Sequence, residues 1–151
     1  VEQGHMLGSH TYYHPKFSRT DNATINTDFK QYEQTMKNKI GTDSFKKITY
    51  FRYPYGNKGN HENQEEIKKH IADYGWKVSW WTHDVSFYTG KYGVSAYKDP
   101  NNQFKDFTTS IKPVNVPLFH FKDPDRLALE KIIKYGLENG YKFKTLDEKP
   151  V

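Results

Sequence analysis

Cysteine is absent from the 151 residues, which excludes disulfides, cysteine-ligated zinc and thiol nucleophiles together. The absence does not fix a compartment, because oxidising surroundings permit disulfides without requiring them. No stretch approaches the roughly 20 consecutive apolar residues of a membrane-spanning helix, so no transmembrane segment is expected. A start methionine and a basic-then-apolar leader are missing too, and the opening Val-Glu-Gln-Gly reads as a cut-down or processed product. Internal repeats, low-complexity tracts and linker-like stretches are also lacking, so a single domain over residues 1–151 is expected. Hydrophobic residues make up only 34% of the chain, but aromatics reach 17%, and each buried Tyr or Phe removes a large area from water. The net charge of +5 permits an anionic partner. The lysines are interspersed with acids, as in KQYEQTMKNK (residues 30–39), so a mildly basic solvated surface is the simpler reading and no nucleic-acid partner is expected.

Helical periodicity is clearest at Ile25, Phe29, Tyr32, Met36 and Ile40, with Gly41 as the stop. Glu62 to Tyr74 reads as a second amphipathic helix, Phe104 to Ile111 as a short one, and Leu127 to Leu137 as a last one. KITYFRY (47–53), WKVSWWTHD (76–84), VNVPLFHF (114–121) and YKFKTL (141–146) read as strands, and Gly4 to Ser9 as the end of an earlier one. Phe87 to Asn102 carries Gly and Pro and reads as a surface loop. Strands alternating with helices predict an α/β fold with a parallel sheet. In such folds ligands sit at the carboxyl ends of the strands. Arg52 to Gly56, His83 with Asp84, and His120 each end or follow an expected strand, so the chemically able residues gather there.

Four segments carry chemistry. In HTYYHP, His10 and His14 stand four apart. On a helix that spacing puts both rings on one face, as a metal needs. Pro15 disfavours helical dihedrals at His14, so a turn presenting both rings is as good a reading, and solvated or core histidines remain the plain alternative. In FRYPYG, residues 51–56, Arg52 can orient a carboxylate through its planar fork while the turn aims a backbone N–H into a site. The same letters also describe a strand running into a proline turn. HDVSFY, residues 83–88, either ends a strand with a capping aspartate or brings Asp84 beside a catalytic histidine. PLFHF, residues 117–121, gives a core strand whose one polar side chain, His120, needs a partner beside its apolar neighbour Leu118.

In this order the four segments resemble the NodB-type polysaccharide deacetylases, which remove N-acetyl groups from chitin-like and peptidoglycan glycans. HTYYHP fits the family's H-[ST]-x-x-H-P motif, RYPYG its R-x-P-Y-G motif, and LFH (118–120) its late Leu-x-His motif. The closing GLENGYKFKTLDE is similar to the family's last helix and strand. The resemblance implies a distorted (β/α) barrel, here incomplete at its N-terminal side. It also implies a divalent metal, zinc by expectation, held by His10, His14 and an upstream Asp. A second upstream Asp, oriented by Arg52, would be the base, and His120 would protonate the leaving amine. The Tyr55 N–H would help stabilise the oxyanion, with Leu118 beside the site and Trp81, Trp80, Tyr12 and Tyr13 as sugar-stacking candidates.

Two departures accompany the resemblance. The family's Asp-Asp strand end should precede the His pair by several dozen residues, and only nine residues precede His10. An upstream segment of the same protein is therefore expected to supply it. Where the family has Asp-x-x-Asp-Trp, Asp84 matches the first aspartate but Phe87 and Tyr88 replace the last two residues, so Asp84 or an upstream group is expected to hold the His120 ring. The chain reads as part of a metal-dependent deacetylase of the cell envelope, periplasm or exterior acting on an acetylated glycan. A non-catalytic glycan-binding relative and a small-molecule amidase or esterase are the competing readings. His5, His61 and His70 read as structural or solvated.

Overall fold

The computed structural model describes residues 3–86 and 99–148. The chain divides into two compact units, Val1–Trp80 and Trp81–Val151.

In the first unit, helix α1 spans Asn22–Ile40. Asp21 caps it, its carboxylate accepting the Thr24 N–H at 2.8 Å, and these bonds hold the Asp21 carboxyl below the usual carboxylate range. Gly41, at φ 81°, ends the helix in a conformation that costs other residues strain. Helix α2 (Thr42–Phe45) follows, then strand β1 (Tyr50–Phe51), helix α3 (Gln64–Asp73) and strand β2 (Lys77–Val78). β1 and β2 pair in parallel, Tyr50 with Lys77 and Phe51 with Val78. Ser9 bridges Phe51 in parallel from the other side, so three chain segments run the same way through the middle of the unit. Phe17, Ile25, Phe29, Phe51, Ile67 and Trp76 form its core. Its aromatics stack in layers: Phe29 on Phe51 at 5.7 Å and Phe51 on Trp76 at 5.9 Å. Each such ring contributes roughly 1.5–3 kcal/mol by leaving water. A chain poor in aliphatic residues thus builds its core from rings.

In the second unit, strand β3 (His83–Asp84) pairs in parallel with strand β4 (Pro117–Leu118). Helix α4 (Pro100–Ser110) connects the two strands and helix α5 (Asp123–Glu138) follows β4. Val85, Phe107, Ala128 and Ile132 form the core. Both units are therefore α/β with parallel pairing, as the alternating pattern predicts.

Several boundaries differ from the expectation. Of Lys47–Tyr53 only Tyr50–Phe51 is strand, because Lys47 and Ile48 close a turn on Ser44 and Phe45 and Pro54 opens another turn. The WKVSWWTHD stretch holds two strands rather than one, β2 pairing with β1 and β3 with β4. YKFKTL is not a strand. Tyr141 N–H donates to the Gly136 carbonyl at 2.8 Å, and the Phe143 ring fills the space a side chain on Gly136 would need, so the segment folds back on α5. Of the expected loop Phe87–Asn102, residues 87–98 lie outside the described residues. Pro100–Asn102 instead open α4, capped by Asp99 through the Asn101 N–H at 2.8 Å.

His70 is structural, as expected. Its ring stacks on Phe29 at 4.4 Å and bonds the Asn26 side-chain oxygen; burial pushes its pKa down. Above the unfolded value near 6.5 both states are neutral and the ring contributes no pH dependence. As the pH falls below about 6.5, the unfolded chain takes up a proton that the folded ring resists, so stability falls with pH. Urea midpoints measured between pH 7.5 and 5 should therefore decline, and His70→Phe should flatten that decline.

Candidate metal centre and active site

The parallel geometry fixes where the side chains of the first unit go. Ser9, Phe51 and Val78 lie side by side, so the next residues, His10, Arg52 and Ser79, emerge together at their carboxyl ends. That is where ligands bind in parallel α/β folds. His10 Nδ1 sits 2.8 Å from the Arg52 carbonyl oxygen. A carbonyl only accepts, so Nδ1 carries the proton and the neutral ring presents an Nε2 lone pair. His14 Nε2 lies 3.0 Å from that Nε2. Two imidazole nitrogens facing each other need either a shared proton or a cation between them. A zinc ion sits about 2.0–2.1 Å from each histidine ligand, so the pair is spaced to hold one. The two histidines fit as part of a metal site. Among the described residues no group of three or more His, Cys, Asp or Glu completes it.

The loop carrying the pair is a turn, not a helix. Thr11 and His14 adopt left-handed conformations, φ 68° and 55°, which cost non-glycine residues of the order of 1–3 kcal/mol unless the surroundings hold them. Asp28, only 1% exposed on α1, supplies that hold. Its carboxylate accepts the Tyr12 N–H at 3.0 Å and the Tyr13 N–H at 2.7 Å, and the His14 N–H donates to Thr11 Oγ1 at 3.1 Å. Sequence reasoning missed Asp28. It stands three residues after Ile25 and one before Phe29, a charge on the inward stripe of α1, and that position was the available signal. Asp28→Ala should leave two backbone N–H groups without their acceptor and let the strained turn relax. Zinc affinity by isothermal titration is expected to fall about 10–100-fold, as when outer partners of a metal site are lost; unchanged affinity would show that the turn holds its shape without Asp28.

Arg52 reaches Ser79, its Nε at 3.4 Å from the backbone oxygen and a terminal nitrogen at 3.2 Å from Oγ, which holds the guanidinium at the end of the ladder. Tyr55 sits in the Pro54–Gly56 turn at φ 55°, is 67% exposed, and sets its ring edge-on to His14 at 4.5 Å. Trp80 stacks on Tyr53 at 5.6 Å beneath Lys58, while Tyr12 and Tyr13 are exposed and edge to each other at 4.5 Å.

The second unit places His120 just beyond β4, its ring 42% exposed. Leu118, half-buried on β4, accepts the Val85 N–H at 3.0 Å, and Trp81 is half-buried at the start of the unit. The expectation that Asp84 bonds the His120 ring is corrected. Asp84 instead accepts the Ser86 N–H at 3.1 Å. The His120 ring meets Ser86 Oγ at 2.5 Å and lies 3.6 Å from the Asp125 carboxylate. His83, the neighbour of Asp84 on β3, turns instead to α4, where it meets Asp106 at 3.2 Å and Ser110 at 3.1 Å. Phe87 and Tyr88, read as the replaced half of the family motif, lie outside the described residues.

Residues 1–78 match the family model of the polysaccharide deacetylases. The chain belongs to the polysaccharide deacetylase family. A curated relative from Geobacillus stearothermophilus, described as an uncharacterized 30.6 kDa protein in the fumA 3' region, is 25% identical over 149 residues. That match takes in 98% of this deacetylase-family chain and 52% of the relative, so the chain spans about half the length of the curated protein. Among solved structures, the Bc1960 peptidoglycan N-acetylglucosamine deacetylase aligns with TM-score 0.72 at 23% identity, covering 96% of this chain and 63% of that one. A CE4 family pseudoenzyme from Bacillus anthracis aligns with TM-score 0.68 at 21% identity, covering 89% and 42%. At these identities the structural likeness shows a shared deacetylase-type α/β fold.

Proposed function

We propose that the protein is a metal-dependent hydrolase that removes N-acetyl groups from an N-acetylhexosamine polymer of the cell envelope. The observation that carries this reading is the His10–His14 pair, two ring nitrogens 3.0 Å apart with one tautomer fixed by a backbone carbonyl. A divalent metal of the zinc type there would supply Lewis acidity toward the acetyl carbonyl and the attacking water. The remaining protein ligand and the base are assigned, as the family resemblance implies, to two aspartates of an upstream segment of the same protein. Arg52, held by Ser79, would orient the base. The Tyr55 N–H, in a turn of left-handed φ, would donate to the developing oxyanion. His120 would give its proton to the leaving amine. Tyr12 and Tyr13, exposed beside the His pair, offer stacking faces for a sugar ring. The envelope location is supported by the likeness to peptidoglycan deacetylases; among the described residues no helix is long and apolar enough to cross a membrane.

Acetate release from chitin oligomers and from peptidoglycan, with and without a chelator, tests the reading. Release that stops on chelation and returns with zinc is the expected result. The likeness to a pseudoenzyme keeps a second reading open, a glycan-binding relative without chemistry. Glycan binding with no acetate released under any metal would establish it.

A further inference from the structure

The position at which the family resemblance places the aspartate that holds the catalytic histidine is Phe87, which has no charge. Yet the second unit does hold a buried carboxylate against His120. Asp125, in the first turn of α5 and 2% exposed, accepts the His120 backbone N–H at 2.6 Å and the Gln103 amide at 3.0 Å. It also accepts the Ser86 hydroxyl. Ser86 Oγ in turn lies 2.5 Å from His120 Nδ1. The direction of this chain follows from its chemistry. An ionised carboxylate only accepts, and Ser86 has one proton, which goes to Asp125. The hydroxyl must then accept from His120, so the proton of the neutral ring sits on Nδ1. Nε2 is left facing away from the network, and among the described residues it has no partner. A histidine whose one nitrogen is held in this way is set to pass a proton through the other.

We propose that Asp125 and Ser86 are positioning residues for His120: the carboxylate, acting through the serine hydroxyl, fixes the ring's tautomer and orientation and replaces the missing second aspartate of the family motif. The inference rests on the proposed function only for its catalytic consequence. Gln103 and the His120 N–H hold the carboxylate from the sides, so the relay is built from α4, α5 and the ends of β3 and β4 together. The grip on both backbone and ring of one residue exceeds what an N-terminal helix charge requires.

The test reads the ring directly, by nitrogen-15 NMR of histidine-labelled full-length protein, beside steady-state kinetics. In the unaltered protein the neutral His120 ring should be the Nδ1–H form, with that proton protected from exchange. Asp125→Asn and the milder Ser86→Ala should each mix the two tautomers and expose the proton. Both should lower kcat about 10–100-fold with KM and metal content unchanged. Ser86→Ala keeps the Asp125 bonds to His120 N–H and Gln103, so it remains informative if Asp125→Asn fails to fold. A ring tautomer unchanged in the folded variants would overturn the inference, whatever happens to the rate. A tautomer that changes in a protein releasing no acetate would uphold the relay and reject the proposed function.

Discussion

His14→Ala is expected to lower metal affinity by more than about 100-fold, beyond the 10–100-fold that loss of an outer partner costs. One imidazole alone cannot chelate, and the pair gains its strength from two nitrogens preset 3.0 Å apart. His10→Ala should do the same and also free the Arg52 carbonyl that its ring now engages. Neither ring belongs to the aromatic core, so melting of the metal-free protein should change little. Elemental analysis of purified full-length protein checks the outcome. Unchanged zinc content in either variant would remove the pair from the metal site.

His120→Ala is expected to lower the rate about 10²–10⁴-fold, the range for a positioned general acid. Metal content should stay as in the unaltered protein, because His120 is assigned to the leaving group and not to the cation. The contrast between the two sets of variants is the informative part: metal and rate lost together at His10 or His14, rate alone at His120. A His120→Ala protein of near-normal kcat would assign the proton to another group. Loss of metal with His120 would make it a ligand.

The helices were legible in the sequence because apolar steps of three and four survive solvation of the opposite face, as from Ile25 to Ile40 on α1. Every strand among the described residues lies inside a stretch read as one and pairs in parallel as expected. Their lengths were not legible, nor was the division of WKVSWWTHD into two or the absence of a strand at YKFKTL. Each is two residues long, too short for period-two alternation to mark its ends, and the flanking apolar residues serve turns and helix packing instead. Phe143 shows this: its alternation with Tyr141 looked like a strand, while its ring is spent covering Gly136. The His pair was legible as a motif, but its geometry was not. The left-handed turn that brings the rings together depends on Asp28, fourteen positions further on, and a charge on an apolar stripe reads as noise until the fold shows its two N–H partners. Asp84 looked like the histidine's partner because it ends a strand. Asp125 holds that place because α5 begins only three residues after His120, and that short return folds its first turn back under the ring.

The most direct measurement is anomalous scattering at the zinc edge from crystals of the zinc-loaded protein. One peak about 2.0–2.1 Å from Nε2 of both His10 and His14, with His10 Nδ1 still on the Arg52 carbonyl, is the expected result. Zinc found elsewhere, or the two rings left bonded to each other with no peak between them, would contradict the assignment of this chain to metal-dependent deacetylation.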